Sequence, residues 1–163
     1  MVKLNAAYTS KINPAGATPV LTLAQVWAGL ERKIRFPHEF IPVIESCTVL
    51  EDKDGVLTRE VTFKEGVREK RTVKEICRGF WPAWVDFEQE DGTHIHNIIA
   101  DGPSGGPEDM TLTFVFEVKM PHLEAGTEET DKEYQRLKSM GKMGVESSIN
   151  AVREMVKDGR IKA

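Results

Sequence analysis

The sequence predicts an α+β domain in which a curved antiparallel sheet encloses one long C-terminal helix. Two periodicities carry this. From about residue 45 to 119 apolar side chains alternate with polar ones and the run is cut by turn signals, which is the mark of half-buried strands. From about Thr130 to Asp158 they recur at helical spacing instead. A third observation completes the order: a first strand and a short helical segment precede the alternating region.

The elements follow in turn. Residues 4–12 read as a strand, stopped by Asn13-Pro14-Ala15-Gly16. Thr22-Leu23-Ala24-Gln25 is a capping box, in which the threonine hydroxyl and the glutamine amide each satisfy a free backbone N–H. Leu23, Val26, Trp27, Leu30 and Ile34 then share one helical face. Pro37 interrupts this helix, and His38-Glu39-Phe40-Ile41 suggests a short second one before Pro42.

Six strands follow, five of them clear. Three turns look alike: Lys53-Asp54-Gly55, Lys64-Glu65-Gly66 and Glu90-Asp91-Gly92. Each fits a three-residue hairpin loop with glycine in the left-handed position, or a two-residue loop. The choice fixes which face every side chain takes. Three-residue loops set Val49 opposite Arg59, Cys47 opposite Val61, Leu57 opposite Val73, Phe63 opposite Val67 and Phe87 opposite Ile95. One face then gathers Cys47, Val61, Phe63, Val73, Val85, Phe87, Ile95 and Ile99; the other is polar, with Trp84, Ile76 and Ile98 as exceptions. Two-residue loops scramble this separation, so the three-residue register is adopted. Leu112, Phe114, Phe116 and Val118 share a face of the last strand. The loop before it, 101–109, is rich in Gly and Pro and reads as an irregular, mobile rim.

The C-terminal helix is expected to start at Thr130 through a second capping box, Thr130-Asp131-Lys132-Glu133, and to end before Gly159. At 1.5 Å per residue it reaches about 40 Å, enough to cross a sheet. Its apolar face includes Tyr134, Leu137, Met140, Gly141, Val145, Ser148 and Ile149.

Composition narrows the function. The chain has 163 residues, 40% hydrophobic and 29% charged, which suits a single domain, 1–163. A net charge of −4 without a basic stripe argues against nucleic acid. No apolar run is long enough to insert in a membrane. The N-terminus lacks a signal-peptide pattern, so a cytoplasmic location is expected. Cys47 and Cys77 stand apart with no zinc spacing, and read as buried thiols.

Polar residues on the apolar face are the candidates for chemistry. Arg59, Glu75, Asn97, Arg71 and Glu69 fall there, with Arg59 opposite Arg71. A buried charge without a partner is costly, so these form either a structural ion cluster or a ligand-orienting group. Arg59 and Asn97 suit stabilisation of negative charge, and Glu75 or Tyr8 suits proton transfer. Gly141 and Gly144 leave either room for a ligand or a close helix–sheet contact. His94 and His96 share the polar face, opposite Glu88 and Asp86, and read as surface charge pairs. No metal site and no cofactor motif is expected.

The stretches from Trp27 to Phe36, Thr58-Arg59-Glu60-Val61-Thr62-Phe63, Trp84-Val85-Asp86-Phe87, Thr113-Phe114-Val115-Phe116-Glu117 and Val145-Glu146-Ser147-Ser148-Ile149 resemble the helix-grip superfamily of START, polyketide cyclase and birch-pollen-allergen-like domains. More narrowly they resemble its AtaL-like subgroup. The resemblance spans nearly the whole chain; the stretches are specific as a set and weak singly. It implies a seven-stranded antiparallel sheet around the C-terminal helix, two short helices between the first and second strands, and an internal ligand cavity. Val61, Phe63, Val73, Phe87, Ile95, Phe114, Phe116, Gly141 and Val145 are expected to line that cavity. It also implies a largely apolar small-molecule ligand. The protein is then either a cofactor-free cyclase or isomerase of specialised metabolism, or a non-catalytic small-molecule or lipid carrier. No shared catalytic signature transfers residue roles. Oligomeric state is left open, with a homodimer among the options.

Overall fold

The structure is a computed structural model that describes residues 1–162. Seven antiparallel strands form one sheet in the order β1-β7-β6-β5-β4-β3-β2. They are β1 (Val2–Lys11), β2 (Ile44–Lys53), β3 (Val56–Phe63), β4 (Thr72–Phe80), β5 (Trp84–Gln89), β6 (His94–Ala100) and β7 (Thr111–Met120). Helix α1 (Leu23–Arg35) and a 3-10 turn at Pro37–Glu39 join β1 to β2, and α2 (Glu128–Lys157) closes the chain against β1 and β7. The expected α+β architecture is therefore present, with the second short helix reduced to a single 3-10 turn.

Local chemistry explains the boundaries. Thr22 Oγ1 accepts from the Gln25 backbone N–H while Gln25 Oε1 accepts from that of Thr22, closing the capping box. Helix α2 begins earlier than the Thr130 box suggests. Thr127 is the N-cap, and Thr130 is buried with its hydroxyl donating to the Glu124 carbonyl. Glu128, Glu129 and Asp131 occupy the first turn, where acidic groups favour the positive end of the helix dipole. Gly159 ends the helix at φ +85°, as a left-handed C′ residue does.

The expected register holds throughout β5–β6, returns beyond an irregularity in β2–β3, and is displaced between β3 and β4. The β5–β6 loop has the three residues expected, so Phe87 faces Ile95, Glu88 faces His94 and Asp86 faces His96. Between β2 and β3 the turn is instead a two-residue Asp54-Gly55 loop with both residues at positive φ. An irregularity between Val49 and Glu51 absorbs the slip, which restores Val49 opposite Arg59 and Cys47 opposite Val61. Between β3 and β4 no tight hairpin forms at Lys64-Glu65-Gly66; the chain wanders through 64–71 before β4 begins. Leu57 consequently faces Cys77 rather than Val73, and Val61 faces Val73. The displacement is an even number of residues, so the faces survive while the partners change. Arg59 faces Glu75, not Arg71. Arg71 lies before β4 and turns outward, where Nη2 donates to Glu45 Oε2 at 3.0 Å.

The core lies between the inner face of the sheet and the two helices. Trp27 of α1 meets Trp81 edge-to-face at 5.5 Å between centroids. Gly29 lets α1 touch α2: a Cβ there would stand 2.4 Å from Val152 Cγ2. Among the described residues, no helix is long and apolar enough to cross a membrane.

Candidate functional site

The helices and sheet do not meet everywhere. Between them lies a cavity of about 770 Å³, within the range that takes a drug-sized molecule. Phe63, Phe87, Ile95, Phe114 and Phe116 line it, as the alternation implies. Helix α2 contributes Leu137, Met140, Met143 and Gly144.

Four expected lining positions fall elsewhere. Val61 and Val73 are buried at 0% and 2% exposure and face each other across β3 and β4, so neither reaches the cavity wall. Val145 is fully buried in the core. Gly141 is a close helix–sheet contact, since a Cβ there would lie 3.1 Å from the Phe116 ring and 3.4 Å from Tyr8 Cβ. The cavity stripe of α2 is rotated by a few residues from the stripe that meets the sheet. Tyr8 is drawn into the second stripe: its hydroxyl donates to Glu146 Oε1 at 3.3 Å and it does not line the cavity. The 101–109 loop lies apart from the cavity as well. Its Glu108 and Asp109 border a separate, smaller pocket beside Lys11 and Asn13. The mouth is framed instead by 67–70 of the β3–β4 loop, Asp91, and Lys119 to His122.

Arg59 and Glu75 sit in the cavity wall, buried at 3% and 4% exposure. Arg59 Nε and Nη2 both donate to Glu75 Oε1, at 3.0 and 2.7 Å. Its Nη1 donates to the carbonyls of Lys33 and Ile34, at 2.9 and 2.7 Å. These are carbonyls at the C-terminal end of α1, where a cation meets the negative end of the helix dipole. The other Glu75 oxygen accepts from Gln89 Nε2 at 3.0 Å. Of the five N–H groups of a guanidinium, one is left over. The pair thus satisfies itself and fixes the end of α1.

What it fixes there is Lys33, which the sequence reading passed over. Lys33 is only 5% exposed and lines the cavity. Its Nζ donates to Asn97 Oδ1 at 2.8 Å and lies 4.0 Å from the Phe114 ring centroid. Burial, then the nearby Arg59 charge, hold the Lys33 amine well below the usual lysine range, against the weaker pull of Glu75. A signal for it existed. Lys33 stands three residues after Leu30 and seven after Val26, inside the apolar stripe of α1. Gln89, buried beside Glu75, was missed as well, although it has the inward parity of Phe87.

Asn97 completes the arrangement. It lies on β6 between Val85 of β5 and Phe114 of β7, with no exposed surface. Its Oδ1 is taken by Lys33, while its Nδ2 has no hydrogen-bond partner. A buried amide donor left unpaired costs roughly 1–3 kcal/mol. This corner therefore holds one unpaired N–H beside an amine, among aromatic rings.

On the outer face of the sheet His96 Nδ1 lies 2.6 Å from Asp86 Oδ1, and His94 Nε2 lies 3.7 Å from Asp86 Oδ2. Both imidazoles approach Glu117 at 3.5 Å. Asp86, His94 and His96 offer ligand atoms within 4.8 Å of one another and could hold a cation, but they do not line the cavity. Of the two thiols, Cys77 is buried and pushed up to about 12 by desolvation, while Cys47 is partly exposed.

Residues 6–159 match the model of the family described as acetylaranotin biosynthesis cluster protein L, AtaL. The chain belongs to this family. Acetylaranotin biosynthesis cluster protein L of Aspergillus terreus is 28% identical over 138 residues, covering 82% of this chain and 79% of that protein. The fold is shared with aromatase/cyclases. The di-domain aromatase/cyclase BexL of the BE-7585A biosynthetic pathway superposes with a TM-score of 0.65 at 12% identity, over 93% of this chain and 49% of that one. The chain therefore spans about half the length of that protein. Zhui aromatase/cyclase from Streptomyces sp. R1128 gives a TM-score of 0.60 at 14% identity, over 96% and 94%. A protein of unknown function from Staphylococcus aureus gives 0.63 at 10% identity. With these relatives the helix-grip architecture is established for this AtaL-family chain.

Proposed function

We propose that this AtaL-family protein encloses a largely apolar, carbonyl-bearing small molecule and promotes a cofactor-free cyclisation or isomerisation of it in specialised metabolism. The observation that carries the reading is the unpaired Asn97 Nδ2 beside the Lys33 amine, in the wall of an aromatic-lined cavity. Membership of a family named for a biosynthetic-cluster protein, and the fold shared with aromatase/cyclases, support the same class of chemistry.

In this reading Asn97 Nδ2 donates to the ligand carbonyl oxygen. Lys33, whose ammonium form burial disfavours, accepts a proton from the carbon next to that carbonyl. The electron pair moves onto the oxygen, where the Asn97 N–H and the new ammonium stabilise the enolate. The enolate carbon then attacks a second carbonyl or is reprotonated at a new position, and Lys33 returns the proton. Arg59 and Glu75 act by holding the end of α1, and with it Lys33, in place.

The minimal reaction is proton exchange. In D2O the protein should accelerate deuterium incorporation into the methyl group of 2-acetonaphthone, with saturation, as followed by proton NMR. Lys33→Met should abolish the acceleration. Binding of the ketone with no acceleration by the wild-type protein would leave a carrier, and the enzyme reading would fail.

A further inference from the structure

Lys33 differs from the surface lysines in more than burial. It makes no ion pair among the described residues, because Glu75 is engaged by Arg59 and Gln89. Its hydrogen bond to Asn97 Oδ1 leaves the rest of the amine group beside the cavity and the Phe114 ring. The neighbouring Asn97 Nδ2 is the unpaired donor that a carbonyl oxygen would satisfy. A carbonyl held there puts its carbon next to the lysine nitrogen. The amine is buried beside the Phe87 and Phe114 rings, and this disfavours the ammonium form that would block attack.

We propose that Lys33 is a covalent site, whose amine condenses with a ketone or 1,3-diketone ligand to form an imine. The lysine nitrogen adds to the carbonyl carbon, and the carbonyl oxygen takes a proton to give a carbinolamine. Loss of that oxygen as water then yields the C=N bond, with no oxidant or reductant consumed. From a 1,3-diketone the product tautomerises to a conjugated enaminone, in which the second oxygen remains available to the Asn97 N–H. Compounds with two carbonyls in a 1,3 relation on an apolar frame are the chemical class that such a site would take. This inference rests on the cavity reading above and adds covalency to it.

Benzoylacetone is the probe, since its enaminone persists without reduction. At pH 7.4 an ordinary exposed lysine is neutral in roughly one molecule in a thousand. Lys33, whose ammonium form burial disfavours, should therefore be labelled faster than any other lysine, by up to about 1,000-fold. Intact-mass spectrometry is expected to show a single adduct equal to benzoylacetone less one water, and peptide mapping should place it on Lys33. Lys33→Arg, which keeps an N–H donor for Asn97 Oδ1 but cannot form the imine, should give no adduct. Displacement of anilinonaphthalene sulfonate by benzoylacetone reports cavity binding separately. Displacement without an adduct on Lys33 overturns the covalent proposal and leaves the cavity reading standing. Neither displacement nor adduct overturns both.

Discussion

Replacing Arg59 by methionine should destabilise the protein far more than replacing Arg59 and Glu75 together. The pair is buried at 3% and 4% exposure, and Arg59 donates twice to one carboxylate oxygen. Arg59→Met leaves the Glu75 carboxylate with Gln89 as its remaining side-chain partner. It also strips the Lys33 and Ile34 carbonyls of their donor. Breaking a buried pair from one side costs about 3–5 kcal/mol. For a domain of this size that lowers Tm by roughly 10–15 °C. Arg59→Met/Glu75→Met removes both charges and keeps similar volume, so the double variant should recover about 2 kcal/mol relative to Arg59→Met. Urea denaturation followed by tryptophan fluorescence and by circular dichroism measures all four corners of the cycle. Additive losses, with the double variant less stable than either single one, would refute a mutually compensating pair.

Other expectations follow from single contacts. Gly29→Ala drives a methyl into Val152 and should cost about 1–3 kcal/mol in urea denaturation, with Gly29→Ala/Val152→Ala recovering part of the loss. Thr22→Ala should cost about 1 kcal/mol by losing the capping hydroxyl, and Thr22→Ser should lose little by the same assay. Lys33 sets a pH dependence whose sign is fixed. Its folded pKa lies well below the unfolded value of about 10.4, so between the two the unfolded chain holds the extra proton. Wild-type stability therefore falls as the pH drops through that window. The Lys33→Met variant lacks this slope, and its stability relative to wild type should rise with falling pH; a constant difference would contradict it.

Much of this was legible in the residues. The Thr22-Leu23-Ala24-Gln25 box and the Gly159 stop act within a few residues, so the sequence states them outright. The inward face of the sheet was legible because period-two alternation survives an even shift of register. The partners were not, because Lys64-Glu65-Gly66 opens a long loop rather than a hairpin, and nothing local distinguishes the two. That shift is why Arg59 meets Glu75 rather than Arg71. Asn97 was found because a polar residue between Ile95 and Ile99 breaks the pattern. Lys33 was missed because Arg32-Lys33-Ile34-Arg35 looks like a solvated helix end. Its burial depends on β6 and β7, which arrive some sixty to eighty residues later. The lining of α2 was displaced for a similar reason: helical periodicity marks an apolar stripe but not which part of it leaves the sheet.

In the proposed function the unpaired Asn97 Nδ2 donates to a ligand carbonyl oxygen. Its most direct measurement is displacement of anilinonaphthalene sulfonate by 2-acetonaphthone and by 2-isopropenylnaphthalene, which replaces the carbonyl oxygen with a CH2 of similar shape. Wild type should prefer the ketone by about tenfold, the equivalent of one buried hydrogen bond of about 1.4 kcal/mol. Asn97→Leu should bind the two alike. Equal affinity of the wild-type protein for ketone and hydrocarbon, or a preference that persists in Asn97→Leu, would contradict it.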